Sequence, residues 1–287
     1  MKLFIRRLAV LAAMSLVLAL VGTSVAWKDG VFSPAPASSA AVAASVKYVL
    51  PPAPKGVPVL SNSCSNGYVT FTFDDGPGRY TLPLASELLA EHVPAVFFEI
   101  GDNVDARPGI TKILVQHHFV IGDHTYDHKS MTGASTGTRP LTDKQARSEL
   151  TRAAASIEAA GAPRPTLWRP PYGDVFAMDN AIGKSLGLRL VMPWSDNGTI
   201  IDDLDWTAKV TPAKIIKAVT QGKAPLRNGV IVAGHDGIST SGDTVKAMPA
   251  IVAYMNRHQL CATAKVRADA TGGVLAGSAT APGGSGS

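Results

Sequence analysis

From Tyr68 to His258, short apolar runs alternate with helical patterns, and this alternation limits the chain's folds more than any other feature. Tyr68 to Phe73, Ala95 to Ile100, Phe119 to Gly122, Leu167 to Arg169, Leu188 to Met192 and Val230 to Ala233 read as strands. Helical patterns fill Leu82 to His92, Ile110 to His117, Thr142 to Ala160, Val175 to Gly187, Thr211 to Gln221 and Asp243 to His258. The helix from Thr142 is the best marked. Thr142 can cap it, Gln145 stands where a capping box needs it, and Gly161 stops it. Strands separated by helices imply an α/β fold with a parallel sheet, open or closed into a barrel. In barrels of this kind, functional residues sit at the carboxyl ends of strands.

The chain has 287 residues, enough for one sizeable domain with extensions. Apolar residues make up 46% and charged residues 17%, so a packed core is expected and global disorder is not. Residues 1–26 read as a signal peptide: Lys2, Arg6 and Arg7 precede the uncharged run Leu8 to Val21, and Ser24-Val25-Ala26 offers a cleavage site. The apolar run is shorter than a membrane span needs, so membrane attachment is expected only if the leader is retained. Residues 27–61, rich in Pro, Ala and Ser, read as a linker. Residues 62–268 are the expected folded domain, and 269–287 an unstructured Gly/Ser/Ala tail. Loss of the leader takes the formal charge from +5 to +2, too little for a nucleic-acid partner. The protein is expected to be secreted or wall-associated and monomeric. In an oxidising compartment, Cys64 and Cys261 are expected to form one disulfide, the alternative being two buried thiols.

Five motifs carry chemistry. Asp74-Asp75-Gly76-Pro77 follows the first strand. Adjacent carboxylates repel, and a divalent cation on one relieves that and leaves the other as a base. As a bare pattern the segment is also a turn. His124 and His128, four apart after the third strand, can face one point, and imidazole is a common metal ligand. Two histidines and a carboxylate leave a position open for water. Arg169-Pro170-Pro171-Tyr172-Gly173 forms a stiff turn able to aim a backbone N–H, with Arg169 able to keep an aspartate ionised. Asp202-Asp203-Leu204-Asp205-Trp206 sets acids beside an aromatic. His235, just past the last core strand, suits a general acid.

Together and in this order, the five motifs resemble those of the polysaccharide deacetylase family, carbohydrate esterase family four, with its NodB homology domain. The resemblance covers about residues 66 to 262. It implies a distorted (β/α) barrel with an incomplete set of regular strands. It also implies Asp75, His124 and His128 as ligands of a divalent metal, most often zinc, with cobalt or nickel as alternatives. By the same resemblance Asp74 is the general base and His235 the general acid. Arg169 orients Asp74, Asp205 orients His235, and the Tyr172 backbone N–H stabilises an oxyanion. The implied substrate is an acetylated polysaccharide or oligosaccharide containing N-acetylglucosamine, such as peptidoglycan or chitin oligomers. Acetyl xylan cleaved by the same site is the main alternative, and a non-catalytic glycan-binding relative a lesser one.

The chain departs from the family pattern in places. Asp123 and Lys129 flank the histidine motif where Asn and Pro are frequent. The stretch from Trp194 to Asp202 is longer than usual, so the position of Asp205 depends on the path of that loop. Ala233 stands where Leu is common, which predicts a roomier acyl pocket and tolerance of propionyl groups. Gly133-Ala134-Ser135-Thr136-Gly137 matches the bare pattern of a serine-esterase elbow, yet it lacks the strand and helix that such an elbow needs.

Overall fold

The computed structural model describes residues 50, 63–193, 200–223, 225–268 and 274–276. The expected leader, almost all of the linker, and Trp194 to Thr199 of the long loop lie outside the described residues. Strands are β1 (Tyr68–Gly76), β2 (Ala95–Glu99), β3 (Val120–Asp123), β4 (Leu167–Trp168), β5 (Arg189–Leu190), β6 (Ile200–Asp202), β7 (Ile231–His235), β8 (Cys261–Ala262), β9 (Val266–Ala268) and β10 (Val274–Ala276). Helices are α1 (Thr81–Ala90), α2 (Gly101–Ala106), α3 (Pro108–Gln116), α4 (Asp143–Ala159), α5 (Ala177–Ser185), α6 (Pro212–Gln221) and α7 (Ser241–Arg257).

The sheet runs β5-β4-β3-β2-β1-β7-β6, every pairing is parallel, and β8 pairs with the start of β1. It is a curled half-barrel covered by helices, as expected for the distorted barrel. Both faces of β1 are buried, as a central parallel strand requires. Its outward residues Val69, Phe71 and Phe73 join the core beneath the helices, with Leu84 and Leu88 of α1 and Ile251 and Met255 of α7. Phe73, Phe97 and Phe119 form a row with ring centroids 5.5 and 5.2 Å apart. Burying each such side chain contributes about 1.5–3 kcal/mol. A second cluster fills the curl of the sheet, with Val96, Phe98, Leu167, Ile200, Ile231 and Ala233.

Thr142 caps α4 through Gln145 in the reciprocal box that the sequence predicts. Several elements differ from expectation. The first strand runs through Asp74 and Asp75 to Gly76 rather than stopping before them. The short helix α2 has no apolar periodicity to announce it, with Val104 its single aliphatic side chain of any size. Strand β6 precedes the fourth motif where none was expected, and β5 shrinks to two residues. Val274–Ala276, expected within an unstructured tail, pairs antiparallel with β9. Cys64 and Cys261 form the disulfide, with Cα atoms 5.2 Å apart, tying the entry to β1 to β8. Among the described residues no helix is long and apolar enough to cross a membrane.

Candidate metal centre and active site

Parallel strands present their carboxyl ends on one side, and all five motifs sit at such ends: β1, β3, β4, β6 and β7. They converge on a cleft of about 750 Å³ lined by Asp74, Asp75, His124, His128, Tyr172, Asp202, Trp206, Ala233 and His235.

Adjacent residues on a regular strand point to opposite faces. Asp74 and Asp75 nevertheless share one cleft, because β1 has a register shift between Asp74 and Gly76 and Asp75 adopts φ 73°. Such a bulge re-aims a side chain. Gly237 makes room for it, since a Cβ there would lie 1.9 Å from the Asp75 carbonyl oxygen. Asp75 Oδ1 stands 3.2 Å from His124 Nε2 and 3.0 Å from His128 Nε2. The three ligand atoms lie within 4.8 Å of one another. Asp75 Oδ1 is buried without a well-formed hydrogen bond, so these atoms face a shared point rather than each other. That is the arrangement a divalent cation fits. Burial raises the Asp75 carboxyl, but the two imidazoles outweigh it and hold it well below 3.8.

The ligands are held from behind. His124 Nδ1 lies 2.8 Å from the Arg169 carbonyl oxygen. That carbonyl fixes the proton on Nδ1 and leaves Nε2 as the ligand lone pair. The His124–His128 turn takes positive φ at Thr125 and His128. Asp123 accepts the Thr125 N–H, and Glu149 of α4 accepts those of Tyr126 and Asp127 at 3.1 and 2.8 Å. Lys129 pairs with Asp127 and Glu149, so the residue in the place of the usual proline braces the turn.

Asp74 is buried, and fully buried Arg169 donates Nη1–H to it at 2.7 Å and Nε–H to the Val191 carbonyl at 3.1 Å. His235 Nδ1 lies 2.5 Å from Asp205 Oδ1, while Asp205 Oδ2 accepts the His235 N–H and the Thr244 hydroxyl. Burial opposes a charged His235, but Asp205 first, then Asp74 and Asp75, push it up to about 10. Asp205 therefore reaches His235 despite the long preceding loop. Tyr172, at φ 59°, packs its ring 4.8 Å from that of His128.

The structure thus brings together Asp74, Asp75, His124, His128, Arg169, Tyr172, Asp205 and His235. Sequence reasoning missed Glu149 and Thr244, and named Asp203 within the fourth motif without a role of its own. Buried Asp203 accepts the Asp205 N–H and lies where a Cβ on Gly234 would be 2.4 Å away. Glu149 had a signal, as an acid on the buried stripe of α4 beside Ala146, Leu150 and Ala153. Ser135 donates its hydroxyl to Asp174 rather than to a histidine and sits in a loop, so it forms no nucleophile elbow.

A family model for polysaccharide deacetylases matches residues 62–191. A chitooligosaccharide deacetylase from Bradyrhizobium is 30% identical over 204 residues, covering 66% of this chain and 84% of that protein. The chain belongs to the polysaccharide deacetylase family. Another relative is a bifunctional xylanase/xylan deacetylase from Cellvibrio japonicus, 34% identical over 204 residues. That match takes in 70% of this chain but only 27% of that protein. A family 4 carbohydrate esterase from Streptomyces lividans, solved in complex with acetate, superposes with a TM-score of 0.62 at 29% identity. It covers 74% of this chain and 98% of that one. Polysaccharide deacetylases are metalloenzymes, and Asp75, His124 and His128 are where this member can hold its ion.

Proposed function

We propose that this protein is a secreted, divalent-metal-dependent hydrolase that removes acetyl groups from N-acetylglucosamine residues of a glycan. The observation that carries the reading is one cleft uniting the Asp75/His124/His128 cluster with the Asp74–Arg169 and His235–Asp205 pairs. Zinc suits two imidazoles and a carboxylate. When bound, the cation supplies Lewis acidity to the acyl oxygen and to an attacking water. Asp74, oriented by the Arg169 hydrogen bond, accepts the proton of that water. The Tyr172 backbone N–H donates to the oxygen that gains charge as the carbonyl becomes tetrahedral. His235 carries its proton to the departing amine, with Asp205 fixing its Nδ1 and leaving Nε2 toward substrate. Acetate and a free amine leave, and no covalent enzyme intermediate is required.

Similarity to the chitooligosaccharide deacetylase supports an amide substrate in chitin oligomers. Similarity to the xylan deacetylase supports the second reading, ester cleavage on acetylated xylan by the same residues. The leader pattern and the disulfide support export.

Acetate release from chitin oligomers, peptidoglycan and acetylated xylan, with chelator and with zinc or cobalt restored, tests the proposal. Chelator-sensitive release from the first two, absent in Asp74→Asn, is the expected result. Release from xylan alone would make the protein an esterase. Metal-independent release would overturn the mechanism.

A further inference from the structure

The formal charge of the chain is small, but its charges are segregated. Residues 63–205 hold 12 lysines and arginines against 18 acids. Residues 206–268 reverse the balance, with nine against two, Asp236 and Asp243. Asp236 is fully buried, and Asp243 is already engaged by Lys246 at 3.2 Å. Lys209, Lys214, Lys217, Lys223 and Arg257 are exposed, and among the described residues none of them pairs with an acid. By contrast Lys129, Arg152, Arg164 and Arg169, in the other part, each face a carboxylate.

The fold gathers these cations on one flank. Strands β6 and β7 are neighbours, and the helices that follow them, α6 and α7, pack side by side. Helix α6 buries Ile215 and Val219 and turns Lys214 and Lys217, one turn apart, to the outside. Lys209 stands just ahead of α6, where its carbonyl accepts from Lys214 Nζ at 2.8 Å, and Lys223 stands just behind. On α7, exposed Lys246 and Arg257 share one line with Ala250, spread over ~16 Å of the axis. Four of the five unpaired cations are lysines. An ammonium meets phosphate as a point charge, whereas carboxylate recognition favours the planar fork of arginine. Among the described residues from 207 to 268 no large apolar side chain is exposed. The flank therefore lacks both the wedge by which a helix enters a lipid surface and the aromatic platform on which sugars or bases stack.

We propose that the α6–α7 flank is a docking surface for a linear phosphodiester polymer, held by charge. A chain with one full negative charge per repeat neutralises several ammonium groups in turn and sheds its own counterions as it does so. Trp206, in the cleft lining, is three residues from Lys209, so the flank begins at the cleft rim. The bound polymer lies beside the opening rather than in it. This docking does not depend on the deacetylase reading; it holds the protein on an anionic matrix with the cleft left open.

The test is fluorescence anisotropy of an end-labelled poly(glycerol phosphate) chain titrated with full-length protein at about 0.05 M and about 0.5 M salt. Wild type is expected to bind at the lower salt and to lose most of that affinity at the higher. Lys214→Gln combined with Lys217→Gln is expected to weaken binding about ten-fold at low salt, with the difference closing at high salt. Lys112→Gln combined with Lys144→Gln removes the same charge from exposed positions on α3 and α4 and should bind as wild type does. Urea midpoints check that both proteins fold. If the first does not, Lys217→Gln with Lys223→Gln takes its place. Equal losses in the two double variants, or none in the first, overturn the proposal. So does binding that salt leaves unchanged. Tighter binding of poly(glutamate), or of vesicles containing phosphatidylglycerol, overturns the choice of partner.

Discussion

At the residue scale, Arg169 couples a base to a frame. Its guanidinium spans Asp74 and the Val191 carbonyl, a reach that one ammonium cannot reproduce. Arg169→Lys is expected to lower kcat roughly 100-fold at saturating zinc, within the range for a misplaced general base. An unchanged kcat would remove Arg169 from the mechanism. Ala233 is buried on the cleft floor, so substituting a larger residue there changes acyl volume directly. Ala233→Leu is expected to depress hydrolysis of N-propionyl substrates more than of N-acetyl ones. A competition assay with the two acyl groups reads that ratio, and a ratio unchanged from wild type counts against a roomier pocket. At this scale the sequence was most informative, because a ligand or base must be a particular residue type. It was silent on Thr244 and on the role of Asp203, both of which depend on what folds against Asp205.

At the element scale, the His124–His128 turn has no regular structure of its own and depends on carboxylates from outside it. Glu149 takes two of its backbone N–H groups. Glu149→Ala is expected to weaken zinc binding about ten-fold, the lower end for loss of a supporting contact, with Glu149→Gln recovering part of it. Zinc competition against a chromophoric chelator measures this without turnover. Equal zinc affinity in all three proteins would show that the turn holds itself. Alternating strand and helix patterns made most elements legible, since burial of one face imposes a period. The bulge at Asp75 was not legible. It comes from pairing with β2 and from the space left by Gly237 in another loop, and neither is local in sequence. Strand β6 and helix α2 were missed because each is too short to show a period.

At the scale of the whole molecule, two buried acids make stability depend on pH. Glu99 and Asp236 are fully buried and pushed up to about 8, chiefly by desolvation, with hydroxyl donors Thr111 and Thr81 opposing. An unfolded glutamate releases its proton near pH 4.5, whereas folded Glu99 keeps it to about 8. The folded state therefore holds the extra proton between those values, and stability falls as pH rises across that window. In metal-free protein, Glu99→Gln should flatten this slope in urea midpoints taken between about pH 5 and 8. A slope equal to that of wild type would mean that Glu99 ionises normally. Removal of the disulfide through paired Cys64→Ser and Cys261→Ser changes should cost about 2–5 kcal/mol by the same method, and no loss would deny the bond a role in stability. That bond sits where β1 begins, whereas the acids of the cleft sit where β1 ends, about 20 Å away along the strand. Stapling and chemistry thus occupy opposite poles of the barrel. A surface or label attached beside Cys64 or Cys261 would leave the cleft facing outward, which makes that pole a natural handle for immobilising the protein on a solid support.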